Sequence, residues 1–169
     1  CVGAVKALEE HIDLKGKTVL IIGAGGTAKA VGYGVSQQGA KLTVTYNRNK
    51  EKGIQLAKEL GAKVVSIQNV GKEEVDILIN CSPVGMSPHV EETPISSRYL
   101  REGMIVFDSV YNPPRTRLIC EAEAAGCVTI SGIELFVNQA IEQFELWTKQ
   151  KAPAHPMRDV IVRTIEGKT

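Results

Sequence analysis

The stretch "GAGGTA" (23–28) carries the first spacing in this chain that implies chemistry. It follows the apolar run "KTVLII" (17–22) directly and opens a small-residue helical pattern. A turn placed there leaves backbone N–H groups free at a helix start, where the positive end of the helix dipole favours phosphate. Gly23 permits the tight turn, and Gly25 lets backbone approach a pyrophosphate where a Cβ would collide. Ala28 is small enough for the helix to press on a sheet. The pattern G-x-G-x-x-A alone is a weak signal. With a strand before it and a helix after it, dinucleotide binding is the stronger reading, and a purely structural glycine turn is the other.

The next chemistry-bearing cluster is "TYNRNKEK" (45–52). A chain that reads NAD places Asp or Glu near this point to take the ribose hydroxyls. Here Asn47, Arg48, Asn49 and Lys50 stand first, followed by Lys52. A guanidinium meets the charged 2′-phosphate of NADP(H) in a bidentate fork and stacks on adenine. The alternative is a solvated basic helix start, which the helix dipole disfavours. NADP(H) is the cofactor these residues favour.

Other reactive side chains are poorly placed for catalysis. His11, His89 and His155 have no partner at catalytic spacing. Asp108, after "IVF", either caps the following segment or orients something. Cys1, Cys81, Cys120 and Cys127 show neither C-x-x-C nor metal-ligand spacing and read as thiols of a reducing, cytoplasmic-type compartment; no metal is expected. Trp147 and Phe144 read as packing for the last helices.

The elements that must hold these residues alternate. Strands are expected at 17–22, 41–46, 62–67, 75–81, 104–110 and 127–130. Helices are expected at 26–38, 50–60 (stopped by Gly61), about 115–125, about 133–148 and 156–166, the last started by Pro156. This order predicts an α/β fold: a Rossmann-like, doubly wound, six-stranded parallel sheet in three α/β/α layers, with a helix in each crossover. The segment 82–100, with three prolines, is either a functional loop or the carrier of a short helix. With 169 residues, 43% of them hydrophobic, the chain is long enough for one core. A net charge of +1 gives no basic footprint for nucleic acid, and no apolar run approaches the roughly 18 residues of a membrane span. The opening "CVGAVKALEE" does not read as a secretory signal. It lacks an initiator Met and starts inside a helical stripe, so the chain is expected to be part of something longer.

Five motifs in order, "GAGGTAKA", "NRNKEK", "LINCSPVGM", "FDSVYNPPRTRL" and "GIELFVNQA", resemble shikimate dehydrogenases over essentially the whole chain. The resemblance covers the cofactor half of that family. It implies that residues 1–15 are a connecting helix from an upstream substrate domain, 16–150 an NADP(H)-binding Rossmann domain, and 151–169 a C-terminal helix packing back toward the upstream domain. It implies hydride transfer between NADPH and 3-dehydroshikimate, giving shikimate. The catalytic Lys and Asp would lie upstream, so no catalytic residue is expected here and the chain alone is expected to be inactive.

By the same resemblance Gly23, Ala24, Gly25, Gly26, Thr27 and Ala28 bind the pyrophosphate, and Asn47, Arg48, Asn49 and Lys52 hold the adenosine 2′-phosphate end. Ser82 lines the cofactor, the backbone of Ser109 and Gly132 meets the nicotinamide amide, and Leu135 stands beside its ring. Tyr111 and Gln139 reach the substrate; read from the residues alone, Tyr111 closes a loop and Gln139 is a surface residue equally well. This chain has Asn49 where the family usually has Ser or Thr, Lys52 for Arg, Glu134 for a frequent Gly and Leu135 for Met. A quinate or quinate/shikimate dehydrogenase shares nearly every one of these motifs, and the lack of internal acid–base machinery suits a non-catalytic NADP(H)-responsive binding module as well. Glutamyl-tRNA reductase and methylene-tetrahydrofolate dehydrogenase resemble it less, lacking "FDSVYNP" followed by "GIELFVNQA". Residues 82–111 and 128–166 resemble plant-type fused members, which implies a plastid location if the parent is one of them.

Overall fold

The computed structural model describes residues 2–46 and 49–165. Six strands, β1 (Thr18–Ile22), β2 (Lys41–Tyr46), β3 (Lys63–Ser66), β4 (Ile77–Asn80), β5 (Ile105–Asp108) and β6 (Val128–Ile130), form one sheet. Its order is β3-β2-β1-β4-β5-β6 and every pair is parallel. The expected doubly wound architecture is therefore present, with its switch point between β1 and β4. Parallel pairing puts every strand's C-terminal end at one edge of the sheet.

Alternation along the strands splits the core in two. Val19, Ile21, Val44, Ile77, Ile79 and Phe107 pack on one face. That face is covered by α1 (Val2–Glu9), α2 (Gly26–Gln37), α3 (Lys50–Leu60) and α5 (Gly132–Thr148). Leu20, Ile22, Leu78 and Val106 pack on the other, against Leu118 and Ala122 of α4 (Arg117–Ala124). The helix α6 (Ala154–Ile165) lies against α5. No helix among the described residues is long and apolar enough to cross a membrane.

Three local expectations need correction. A helix does not fill every crossover: the β3–β4 connection holds only the 3₁₀ turns Ile67–Lys72, and β4–β5 only Ser97–Tyr99. Val70, Ile95, Leu100 and Met104 seal the second core from these irregular segments, so no further helix is needed to exclude water. Second, α6 starts at Ala154, two residues before Pro156. A proline in the first turn lacks an N–H that would have had no helical partner anyway. Third, Trp147 does not pack against the last helices. It is 76% exposed, because the last turn of α5 runs past the elements that bury its earlier residues.

The helix ends that frame the site follow from single residues. Asn49 caps α3, its Oδ1 accepting from the Lys52 N–H at 2.9 Å, and Gly61 ends it in the left-handed region at φ 62°. Thr116 caps α4 by accepting from the Ile119 N–H. At α2 the cap is Gly25, which has no side chain to offer.

Candidate cofactor site

Gly23 turns the chain at φ 110° as β1 ends, a conformation that L side chains rarely adopt. Its N–H donates to the Thr45 carbonyl of β2 at 3.1 Å. A Cβ there would stand 3.1 Å from the carbonyl carbon of Cys81, just beyond β4. The turn is thus wedged at the switch point by both neighbouring strands. Around Gly25 and Gly26 there is open space, no side chain caps the first turn of α2, and that turn carries no carboxylate. Its N–H groups are free to take an anion, so the residues present fit a diphosphate. Ala28 is fully buried against the sheet, as its small size requires.

Two concavities flank this turn. One is lined by Ala24, Gly25, Gly26, Lys29, Lys52, Gln55, Leu56 and Glu59, in the groove between α2 and α3. It joins Lys52 to the glycine turn; Asn47 and Arg48 lie outside the described residues. Lys29 pairs with Glu59 across this groove at 2.7 Å. The sequence reading had not singled out either residue.

The second concavity is lined by Thr27, Ser109, Tyr111, Gly132, Leu135, Phe136 and Gln139. Six of these seven were singled out in the sequence, from positions more than 100 residues apart. The seventh, Phe136, stacks on Tyr111 with ring centroids 4.9 Å apart at 18°. Only helical spacing from Gly132 and Gln139 hinted at it. Tyr111 and Phe136 are both partly exposed, at 43% and 40%. Among the described residues this lining includes no Lys, His, Asp or Glu. His11 lines a different hollow, beside Arg115 and Arg158.

Ser82 stands just past β4, between the two concavities in chain order, and is held from behind. Its N–H and hydroxyl both donate to Asn80 Oδ1, at 3.0 and 2.7 Å. Asn80 Nδ2 donates to Asp108 Oδ1 at 2.9 Å. Asp108 also accepts from the Val110 N–H at 3.0 Å and from the Thr116 hydroxyl at 2.6 Å. All three side chains, Asn80, Asp108 and Thr116, are buried. Burial pushes the Asp108 carboxyl above its ordinary range, opposed by the donors from Thr116, Val110 and Asn80. Asp108 therefore anchors the segment after β5 and the α4 cap, and it orients Asn80 as well, so both sequence readings of it hold. Asn80 was missed, although a lone amide in the buried run "ILIN" was a signal. Burial, with the Asp108 charge beside it, pushes the Cys81 thiol up to about 12, which leaves it inert as a nucleophile. Among the described residues no group of three or more His, Cys, Asp or Glu is placed to hold a metal.

An open parallel sheet of order 3-2-1-4-5-6, with a glycine turn at the switch point and a concavity on either side of it, defines an α/β domain of the Rossmann class. Comparison with known families makes this specific. Residues 5–110 match the family described as shikimate / quinate 5-dehydrogenase, and 132–162 match the shikimate 5′-dehydrogenase C-terminal domain. The chain belongs to the shikimate/quinate 5-dehydrogenase family.

It is 42% identical over 170 residues to the chloroplastic bifunctional 3-dehydroquinate dehydratase/shikimate dehydrogenase of Arabidopsis thaliana, covering 90% of this chain and 28% of that one. It is 37% identical to the shikimate dehydrogenase (NADP(+)) of Methanothermobacter thermautotrophicus, covering 96% of this chain and 61% of that one. A crystal structure of a shikimate dehydrogenase in complex with NADP+ superposes with TM-score 0.91 at 34% identity, covering 97% of this chain and 60% of that one. The chain thus spans less than two thirds of the length of these relatives.

Proposed function

We propose that this chain is the NADP(H)-binding half of a shikimate dehydrogenase, acting in the reversible reduction of 3-dehydroshikimate to shikimate. The observation that carries the reading is the glycine turn after β1, wedged between β2 and β4 with a concavity on either side. This arrangement supports a dinucleotide laid across the turn. The cofactor supplies a hydride at its nicotinamide ring.

The chain's own residues bind and orient. Gly23, Ala24, Gly25, Gly26, Thr27 and Ala28 hold the diphosphate at the start of α2. Asn47, Arg48, Asn49 and Lys52 hold the 2′-phosphate and adenosine; support for NADP(H) over NAD(H) comes from the basic "NRNK" and from Lys52 in the groove beside the turn. Ser82 lines the cofactor after β4, while the backbone of Ser109 and Gly132, with Leu135, places the nicotinamide end. Tyr111 and Gln139 face the substrate. Residues 1–15 connect to an upstream substrate domain and 151–169 pack back toward it.

Among the described residues the hollow that holds Tyr111 and Gln139 is lined by no Lys, His, Asp or Glu, which supports a proton donor supplied from the substrate domain. The same fact favours a second reading, a binding module without turnover. Titration of the chain with NADPH and NADH by fluorescence tests the proposal. NADPH is expected to bind at least tenfold more tightly, as a charge-assisted fork to one phosphate provides. Equal affinity, or none, would overturn it. Joining the chain to an upstream substrate domain then separates the two readings: dehydrogenase turnover supports the enzyme, and binding without turnover the module.

A further inference from the structure

We propose that Asn80 is a positioning residue: oriented by Asp108, it holds the Ser82 hydroxyl so that Ser82 meets the cofactor as a hydrogen-bond acceptor. The inference rests on the reading of this edge as an NADP(H) site and specifies how one contact in it works.

The polarity of the chain of bonds is fixed at both ends by groups whose role admits no choice. A backbone N–H only donates, and the Ser82 N–H points at Asn80 Oδ1, 3.0 Å away. That atom is therefore the amide oxygen, and Nδ2 faces Asp108. Asp108 Oδ1 receives the Val110 N–H as well, and Oδ2 receives Thr116, whose own oxygen accepts the Ile119 N–H. Two donors that admit no reversal, the Asn80 amide N–H and the Val110 N–H, converge on Asp108 Oδ1, so that atom acts as an acceptor.

The consequence arrives at Ser82. Its single hydroxyl proton is spent on Asn80 Oδ1 at 2.7 Å, and one lone pair takes the Val84 N–H at 3.4 Å. The remaining lone pair is what Ser82, which is only half-buried, can offer a ligand. The matching group is a donor, a ribose hydroxyl or a carboxamide N–H. A serine without this backing would rotate freely and offer either polarity.

Asn80 and Asp108 are 28 residues apart in sequence and directly paired in the sheet register. Strand pairing alone thus builds the device.

Calorimetric titration of the full chain with NADP+ tests this. Asn80→Leu is expected to weaken NADP+ about tenfold, the effect of losing one oriented hydrogen bond. Ser82→Ala should weaken NADP+ similarly, and Asn80→Leu should cost nothing more in that background. Asp108→Asn should retain binding, since its amide oxygen still accepts from Asn80.

If Asn80→Leu does not fold, Asn80→Asp reads the same point. It keeps an acceptor toward Ser82 but sets a second carboxylate against Asp108, so its NADP+ affinity relative to wild type should fall as pH rises. Additive loss in the Ser82→Ala background, or an Asn80→Asp protein matching wild type at every pH, would overturn the inference. Wild-type chain that does not bind NADP+ would instead overturn the reading of the site.

Discussion

Gly132 lies hard against the backbone that precedes Tyr111: a Cβ on it would fall 2.7 Å from the Ser109 carbonyl oxygen and closer still to that of Val110. The start of α5 and the end of β5 therefore meet through bare backbone, at the floor of the hollow holding Tyr111 and Gln139. The contact is tight because the Val110 N–H is tied to Asp108 and does not give way easily.

Gly132→Ala should force α5 off this segment. The expected loss is about 1–3 kcal/mol of stability, as for other overpacked sites. Urea unfolding measures the stability, and NADPH affinity should fall along with it. A variant as stable as wild type that binds equally well would show that the contact is relaxed at no cost.

Arg48→Asp should weaken NADPH by roughly tenfold or more while sparing or improving NADH, because it exchanges a phosphate-binding guanidinium for a ribose-binding carboxylate. Parallel titrations of the two cofactors check it. Equal loss for both would remove Arg48 from the 2′-phosphate site.

Asp76 predicts a pH effect at the opposite end of the sheet. The Thr18 N–H and hydroxyl both donate to its Oδ2 at 2.8 Å, and together they hold its carboxyl below the ordinary range. A depressed acid is worth more to the folded state when ionised. Its contribution is therefore full above about pH 4 and fades as pH falls through the lowered value. Asp76 is exposed, so solvent limits the contribution to about 1 kcal/mol or less. Unfolding free energies of wild type and Asp76→Asn should differ at neutral pH and converge in acid. A difference that grows toward low pH would reverse the sign.

The chain has one tryptophan, Trp147, and it is 76% exposed. Its emission should be that of a solvated indole and be quenched readily by iodide. Trp147→Ser should leave stability within about 0.5 kcal/mol of wild type. Blue-shifted, protected emission would mean that the end of α5 is covered.

Local chemistry made much of this fold legible in the sequence. The limits of α3 at 50 and 60 follow from the Asn49 cap and the left-handed Gly61. The glycine turn announced itself because only such residues accept φ 110° beside another strand. What stayed hidden depends on tertiary placement. Nothing near Asn80 says that Asp108 is its partner, because sheet order, not chain neighbourhood, sets that register. Phe136 reads as one more apolar position on α5 until Tyr111 is seen stacked on it. The exposure of Trp147 depends on where α5 outruns its neighbours, which helical periodicity does not report.

The central claim is that backbone amides at the start of α2 grip the diphosphate of NADP(H). Amide NMR spectra of the chain titrated with NADP+ test it most directly. The account predicts the largest shifts at Gly25, Gly26 and Thr27, with further shifts at Ser82, Ser109 and Gly132. Unmoved glycine amides, or shifts confined to another face such as the hollow beside Ile95 and Tyr99, would contradict it.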